Sequence, residues 1–469
     1  MNDLAVGYLN GGKLDLALPI LEEILKLRKA NLGADHPATL TSMDNLAAGY
    51  SAAGNRDLSL QLTEETLKLK RAKLGPDHLD TVQSMSNSAM DYLNGGKLDL
   101  ALPLFEETLK LRTAKLGADH PQTLRSMNDL AVGYRYAGKP DLALPLLEET
   151  LKLRKAKLGA EHPDTLRSMD SLAGCYQDVG KLELALPLFE EILKLRKVKL
   201  GADHPSTLIS MNNLANGYSN AGKPDLAVQL LEETLKLSTD KLGAYHHATL
   251  TNMNNLANAY SDAGKRNLAL QLHEETLKLA KAHLGADHPH TLGSMHSVAE
   301  AYRVAGKLDL ALPLLQETLK RQKAKLGADH PSTLISMNSL ALGFQASGKL
   351  DLALPLYAET LKFRKAKLGE NHPNTLQSMN NLGFGYYAAD QLDLALPIFE
   401  ETLKLKKAKL GAEHPDTLRS MNNLAMGYRA VGKLDLALPI LEETLKLAKA
   451  RMGADHPNTL ISMNSLAQG

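Results

Sequence analysis

Residues 121–159, PQTLRSMNDLAVGYRYAGKPDLALPLLEETLKLRKAKLG, carry two successive patterns of helical period separated by a glycine. Leu124, Met127, Leu130, Ala131 and Tyr134 recur at i, i+3, i+6, i+7 and i+10, which gathers them on one face of an α-helix. Pro121 suits the first helical position, because its missing N–H would have had no intrahelical partner there, and His120 or Asp119 stands at the capping position. Gly138 supplies the conformation that ends this helix A, expected over roughly 121–136. Helix B is expected from Pro140 to about Lys157. Its buried stripe is read as Leu142, Ala143, Leu146, Leu147, Thr150, Leu151 and Leu153, with Glu148 and Lys152 paired at i,i+4 outside. Pro145 lies inside helix B, where it deletes one hydrogen bond and tends to bend the axis. Gln61, Gln229 and Gln271 occupy the same column elsewhere, so proline there is compatible with the helix and not required by it.

The stretch is one unit of a strict repeat. His36, His78, His120, His162, His204, His246, His288, His330, His372, His414 and His456 are each 42 residues apart. The 469 residues therefore hold eleven units and a seven-residue remainder, and the chain is expected to start and stop within helix A. Repetition overrides the three-domain prior of ~150 residues each that length alone would suggest. Twelve of the 15 methionines fall on one column, Met1 and Met43 through Met463, and ten of the 14 tyrosines on another, including Tyr134 and Tyr218, so the same packing environment recurs in every unit. Val and Ile total only 17, too few for a strand-rich propeller of similar period. The expected class is all-α. Neither helix buries its stripe alone, so A packs on B and then on the next A. Burial of each Leu or Met is worth about 1.5–3 kcal/mol, which makes neighbour stacking the main source of stability.

Composition narrows the function. Lys and Arg number 54 against 53 Asp and Glu, leaving no global charge to steer nucleic acid or an anionic membrane. A single cysteine, Cys175, excludes an internal disulfide framework, nothing at the N-terminus has the order of a secretory signal, and no apolar run approaches the ~20 residues of a membrane span, so a cytoplasmic address is expected. Cys175 is read as a small packed residue. Successive units displace each histidine of the column by a whole repeat, so three cannot converge on one ion at ~2 Å, and no metal site is assigned. The denser set His247, His273, His283, His290 and His296 falls within two adjacent units. Almost every polar residue recurs in every unit, with no phosphate-binding glycine loop and no singular nucleophile–base cluster, so no catalytic residue and no cofactor are expected.

In the unit at 211, Met211, Leu214, Ala215, Tyr218, Gly222, Ala227, Leu231, Thr234 and Leu235 reproduce the signature spacing of tetratricopeptide repeats, which this chain resembles throughout. The usual period there is 34. The extra residues lie in the end of helix B and the following loop, and this longer variant, with LGADHP at 200–205 and MNNLA at 211–215, is similar to the repeats of kinesin light chain. HEAT and armadillo repeats share the period range but lack the fixed Gly-to-Ala spacing across the A–B turn. The resemblance implies a right-handed α-solenoid of antiparallel helix pairs. Four departures, Ser59, Ser88, His273 and Asp390, are expected to loosen single units.

The resemblance also implies a concave wall lined by helix A, with outward columns two before and one, two, five, eight and nine after the methionine. The column after the methionine is an asparagine ladder that includes Asn2, Asn128, Asn212, Asn254, Asn338, Asn380, Asn422 and Asn464, interrupted by Asp44, Ser86, Asp170 and His296. An amide offers donors and an acceptor to the backbone of an extended peptide. The neighbouring columns vary, as at Arg135, Arg303, Tyr387 and Arg429, which suits tuned recognition; Arg125, Arg135 and Arg167 would favour acidic ligands. The expected function is a protein–protein interaction scaffold that binds a peptide or partner protein in this groove. Two alternatives stand beside it. One is the regulatory array of a larger bacterial protein with a Ser/Thr kinase or nucleotide-binding ATPase domain, suggested by Met1 and Gly469 lying inside helix A. The other is an array that self-associates end to end through uncovered apolar ends.

Overall fold

The computed structural model describes residues 2–10, 13–53, 55–452 and 457–467. The expectations placed on Met1, His456, Gly469 and the side chain of Asn2 lie outside that description. All secondary structure among the described residues is α-helical, in 23 helices. The chain divides into two compact units, Met1–Cys175 and Tyr176–Gly469. The first holds α1 (Asn2–Asn10), α2 (Leu14–Leu32), α3 (Pro37–Ala52), α4 (Arg56–Leu74), α5 (Leu79–Asn94), α6 (Leu98–Leu116), α7 (Pro121–Tyr136) and α8 (Pro140–Leu158). The division falls within α9 (Pro163–Asp178). The second holds α10 (Leu182–Leu200), α11 (Pro205–Asn220), α12 (Pro224–Leu242), α13 (His247–Asp262), α14 (Arg266–Leu284), α15 (Pro289–Val304) and α16 (Leu308–Leu326). It continues with α17 (Pro331–Ala346), α18 (Leu350–Leu368), α19 (Pro373–Ala388), α20 (Leu392–Leu410), α21 (Pro415–Ala430), α22 (Leu434–Met452) and α23 (Pro457–Ala467). Odd-numbered helices are A, even-numbered ones B. Within each unit every helix packs on its sequence neighbours, and A helices also touch the next A helix, as α5 does α7 and α13 does α15.

The helix ends follow from single residues. His120 is the cap of α7: its Nδ1 accepts the Gln122 amide at 3.2 Å, and Pro121 fills the first turn. The same histidine acceptor recurs at His204, His246 and His288. Gly138, at φ 64°, closes α7 with the Lys139 amide bonded to the Tyr134 carbonyl at 2.8 Å. Asp390 takes the same left-handed conformation, φ 58°, without being glycine, and keeps the corresponding bond from the Gln391 amide to the Tyr386 carbonyl at 2.9 Å. Helix α8 stops at Gly159, whose φ 84° and ψ 165° belong to a region that is essentially glycine's alone. Pro145 leaves α8 as long as α4, 19 residues, which carries Gln61 in its place.

The expected buried stripe of α8 is corrected. Leu142 is 49% exposed, and its counterparts in the other units, such as Leu100, Leu226 and Leu268, are exposed as well. Leu146 and Leu153 are half-buried. Instead Arg154 is buried, its Nη1 donating to the Asp164 carbonyl at 2.7 Å and to Ser168 Oγ at 2.8 Å. The guanidinium thereby ties the end of helix B to the first turns of the next helix A, and Arg28, Arg112, Arg196 and Arg364 repeat the bond to Ser42, Ser126, Ser210 and Ser378. Ala143, Leu147, Thr150 and Leu151 are buried as expected, and so are Met43, Met169 and Met211, while Met127 is half-buried. Cys175 is buried.

The departures at Ser59 and Ser88 occur together. Both are buried, with Ser59 Oγ 3.0 Å from Asp91 Oδ2 and Ser88 Oγ 3.5 Å from the Thr63 carbonyl. Burial raises the Asp91 carboxyl pKa, while hydrogen bonds from Ser59, Thr63 and Ser51 pull it back. The polar substitutions therefore form one local network that satisfies its own members.

Candidate functional site

The face of helix A away from helix B is built by the columns around each methionine. The column two before it is exposed at Arg125, Arg167, Ile209 and Arg419, and the column nine after it at Tyr136, Asn220 and Asp262. The ladder column is a correction to the outward set. Asn128 and Asn380 are buried, and Asn212, Asn254, Asn338 and Asn422 are half-buried. Their amides lie in the seam between successive A helices. Asn212 Nδ2 donates to Asn252 Oδ1 at 2.8 Å, and Asn212 Oδ1 accepts from Asn255 Nδ2 at 2.8 Å. Asn338 Oδ1 accepts from Asn381 at 2.7 Å, Asn380 Oδ1 from Asn423 at 2.6 Å, and Asn422 Nδ2 donates to Ser462 Oγ at 3.3 Å. The physical reason is the close approach of neighbouring A helices, which covers one side of each helix that a single-helix projection places outside.

The variable positions lie on A helices of both units, Arg135 in the first and Arg303, Tyr387 and Arg429 in the second. Arg135 is half-buried beside Gly174, close enough that a Cβ at Gly174 would lie 2.7 Å from its Nη1. Arg303 grips Glu300 with Nε 3.1 Å from Oε1 and Nη2 2.9 Å from Oε2. The Tyr387 ring lies 5.9 Å from Phe384, and Arg429 is half-buried on α21. Each of the four stands in a different repeat.

The asparagines five and nine positions after the methionine were absent from the expected contacts. Asn216, Asn220 and Asn258 are exposed, and with Asn212 and Asn255 they line a cleft of about 310 Å³ on α11 and α13. A signal for them was present, since Asn216 and Asn258 share a column in adjacent units, but it is shorter than the ladder beside it. Exposed amides at two levels of one helix face can donate to and accept from an extended backbone. The arginines of the first unit surround an acid: burial raises the pKa of Asp129, while Arg125, Arg167, Arg112 and Arg154 lower it. On the opposite flank, Tyr134 and Tyr218 donate to Glu106 at 2.7 Å and Glu190 at 2.9 Å, and burial with the glutamate bond pushes the Tyr134 hydroxyl up to about 12. Those groups lock helix A to the preceding helix B. No cluster of three metal-ligating side chains occurs among the described residues, and no described helix is long and apolar enough to cross a membrane.

Helix pairs stacked by neighbour contacts within each unit, every unit repeating the same A and B helices, define a helical-repeat protein. A tetratricopeptide repeat family model matches overlapping segments that together run over residues 1–240 and 290–468, and a second tetratricopeptide repeat model matches 249–290. The chain belongs to the tetratricopeptide repeat family, in the longer variant that kinesin light chain-like repeats share. Similar solved structures include the nearly identical TPR-like repeats of a candidate kinesin light chain from Podosopora anserina, with 30% identity over 44% of this chain and 97% of that one and a TM-score of 0.39. BtubC from P. vanneervenii is 21% identical over 53% of this chain and 94% of its own, with a TM-score of 0.41. A Rap protein complexed with competence and sporulation factor is 13% identical over 79% of this chain and 98% of its own, with a TM-score of 0.49. No curated protein matches the chain. Tetratricopeptide repeat proteins generally serve as scaffolds for proteins and peptides and are typically not enzymes.

Proposed function

We propose that the chain is one array of eleven 42-residue units and a partial helix, and that it holds an extended peptide segment of a partner protein along the A face. The observation that carries this reading is the amide-lined cleft on α11 and α13, where Asn216, Asn220 and Asn258 are exposed. Main-chain recognition by amides is independent of side chains, so it supplies affinity, and the variable residues Arg135, Arg303, Tyr387 and Arg429 supply choice. The ladder asparagines Asn128, Asn212, Asn254, Asn338, Asn380 and Asn422 contribute from the seam, by holding adjacent A helices in register and by offering the edges that their mutual bonds leave open. Near-equal positive and negative charge supports a protein ligand over nucleic acid, and the lone cysteine supports a cytoplasmic address. The test is a screen of the purified chain against a library of extended peptides: saturable binders are expected, and a chain that retains none at micromolar concentration refutes the proposal.

A further inference from the structure

The column that holds Leu231, Leu315, Tyr357 and Phe399 at the centre of the second unit's core holds a histidine at position 273. Its ring is only 3% exposed. Burial depresses the imidazole to about 4, so the ring is neutral at neutral pH. Its Nδ1 lies 3.2 Å from Asn254 Oδ1, and Asn254 spends its Nδ2 on Ser294 Oγ at 3.1 Å, which leaves the amide oxygen for the histidine. The proton of the neutral ring is therefore on Nδ1 and the lone pair on Nε2. The ring forms part of the lining of a cleft of about 410 Å³ between α13, α14 and α15, a size within the range of ligand sites.

The remaining lining sorts by charge. Ala269 and Leu270 make an apolar floor, and Asn258 contributes an exposed amide from α13. Glu300 lines the α15 wall, but its carboxylate is held by Arg303 through both oxygens, so the pair carries no net charge. Arg266 and Lys307 also line the cleft, and neither is ion-paired among the described residues.

We propose that this cleft reads a carboxamide, the side chain of a glutamine or asparagine in the bound partner, with the amide N–H donated to His273 Nε2 and the amide oxygen accepting from Asn258 or Arg266. An ammonium group would meet Arg266 and Lys307. A carboxylate would be drawn by Arg266 and Lys307 but has no proton to donate, so it would leave the His273 Nε2 lone pair unpaired. An aliphatic group would leave Nε2 without a donor. A carboxamide supplies a donor and an acceptor on separate atoms without charge, so it can serve Nε2 and the Asn258 or Arg266 donor at once. The identity of the occupant as part of a peptide rests on the proposed receptor function, whereas the chemistry of the cleft does not.

The test uses the full chain labelled with ¹³C at histidine Cε1 and three small probes: propionamide, sodium propionate and propylammonium chloride. The His273 resonance is assigned by its loss in His273→Leu, a residue the column already accepts at Leu231 and Leu315, and independently by its shift in Asn254→Ala. Propionamide is expected to shift that resonance saturably, with a Kd at least about fivefold below those of the two charged probes. No shift at His273, or a charged probe binding as tightly as propionamide, overturns the proposal. If the peptide screen finds no ligand while propionamide still binds, the receptor reading falls and the pocket stands; the reverse result removes the pocket alone.

Discussion

The guanidinium of Arg135, on α7, occupies the space that a methyl group on Gly174 of α9 would fill, with Nη1 2.7 Å and Cζ 2.9 Å from the ideal Cβ position. A residue of one repeat is thus held in place by the smallness of a residue in the next. Alanine suits a helix interior better than glycine by about 0.5–1 kcal/mol. Gly174→Ala should gain that much when Arg135 is also replaced by Ala and clearly less in the wild-type background. Hydrogen exchange of the α7 and α9 amides in the four chains of the cycle measures the difference, and additivity within ~0.3 kcal/mol would show that the two residues do not compete for the site.

Asp390 holds a left-handed conformation that glycine adopts at the same turn in other units, as at Gly138 and Gly432. Asp390→Gly removes the steric cost and should stabilise the α19–α20 pair by about 1 kcal/mol. Slower amide exchange across that turn, with no change in helical circular dichroism, is the expected observation.

Arg154 is a structural cation, buried at the end of α8. Arg154→Met keeps the aliphatic stem and removes the donors to the Asp164 carbonyl and Ser168. The loss should be about 1–3 kcal/mol, the range for hydrogen bonds donated by a charged group. Faster exchange in the first turns of α9, with α7 unaffected, would show it.

Acid should act first on the histidine-rich repeats. Burial lowers the pKa of His273, His246, His288, His290 and His296, with nearby His247 adding to the effect at His246, His288 and His290 and Arg303 at His296, where Glu300 opposes it. As pH falls below the unfolded value of 6.5, the unfolded chain takes up these protons before the folded chain does. Stability of α13–α15 is therefore full above about pH 6.5 and is lost progressively towards the folded value, which for His273 is about 4. At that lower limit His273 alone accounts for about 3 kcal/mol. Local exchange measured from pH 7 to pH 4.5 should rise there more steeply than in α3–α8, and His273→Leu should flatten much of the slope.

The fold was legible because each unit repeats its own punctuation. Pro121 and Gly138 place helix A over 121–136 from the sequence, and the structure has Pro121–Tyr136; for helix B the end moved only from Lys157 to Leu158. The candidate site was less legible. A projection of one helix cannot distinguish the open groove from the seam where the next A helix arrives, and so it placed Asn128 and Asn380 outside when both are buried. Leu142 was expected to be buried and is exposed, while the buried Arg154 was not anticipated: the carbonyl and hydroxyl that hold its guanidinium come from the following repeat, and no pattern within α8 announces them.

Whether the A face is the binding face is measured most directly by one titration. A peptide selected by the screen is titrated against the wild-type chain, against Asn216→Ala/Asn220→Ala/Asn258→Ala, and against Leu226→Ala/Leu268→Ala, which trims the exposed leucines of helix B. Loss of three amide contacts at about 0.5–1.5 kcal/mol each predicts an affinity at least tenfold weaker for the asparagine variant. The leucine variant should bind as the wild type does. Unchanged affinity in the asparagine variant, with binding lost in the leucine variant, would move the site to the B helices and contradict the account.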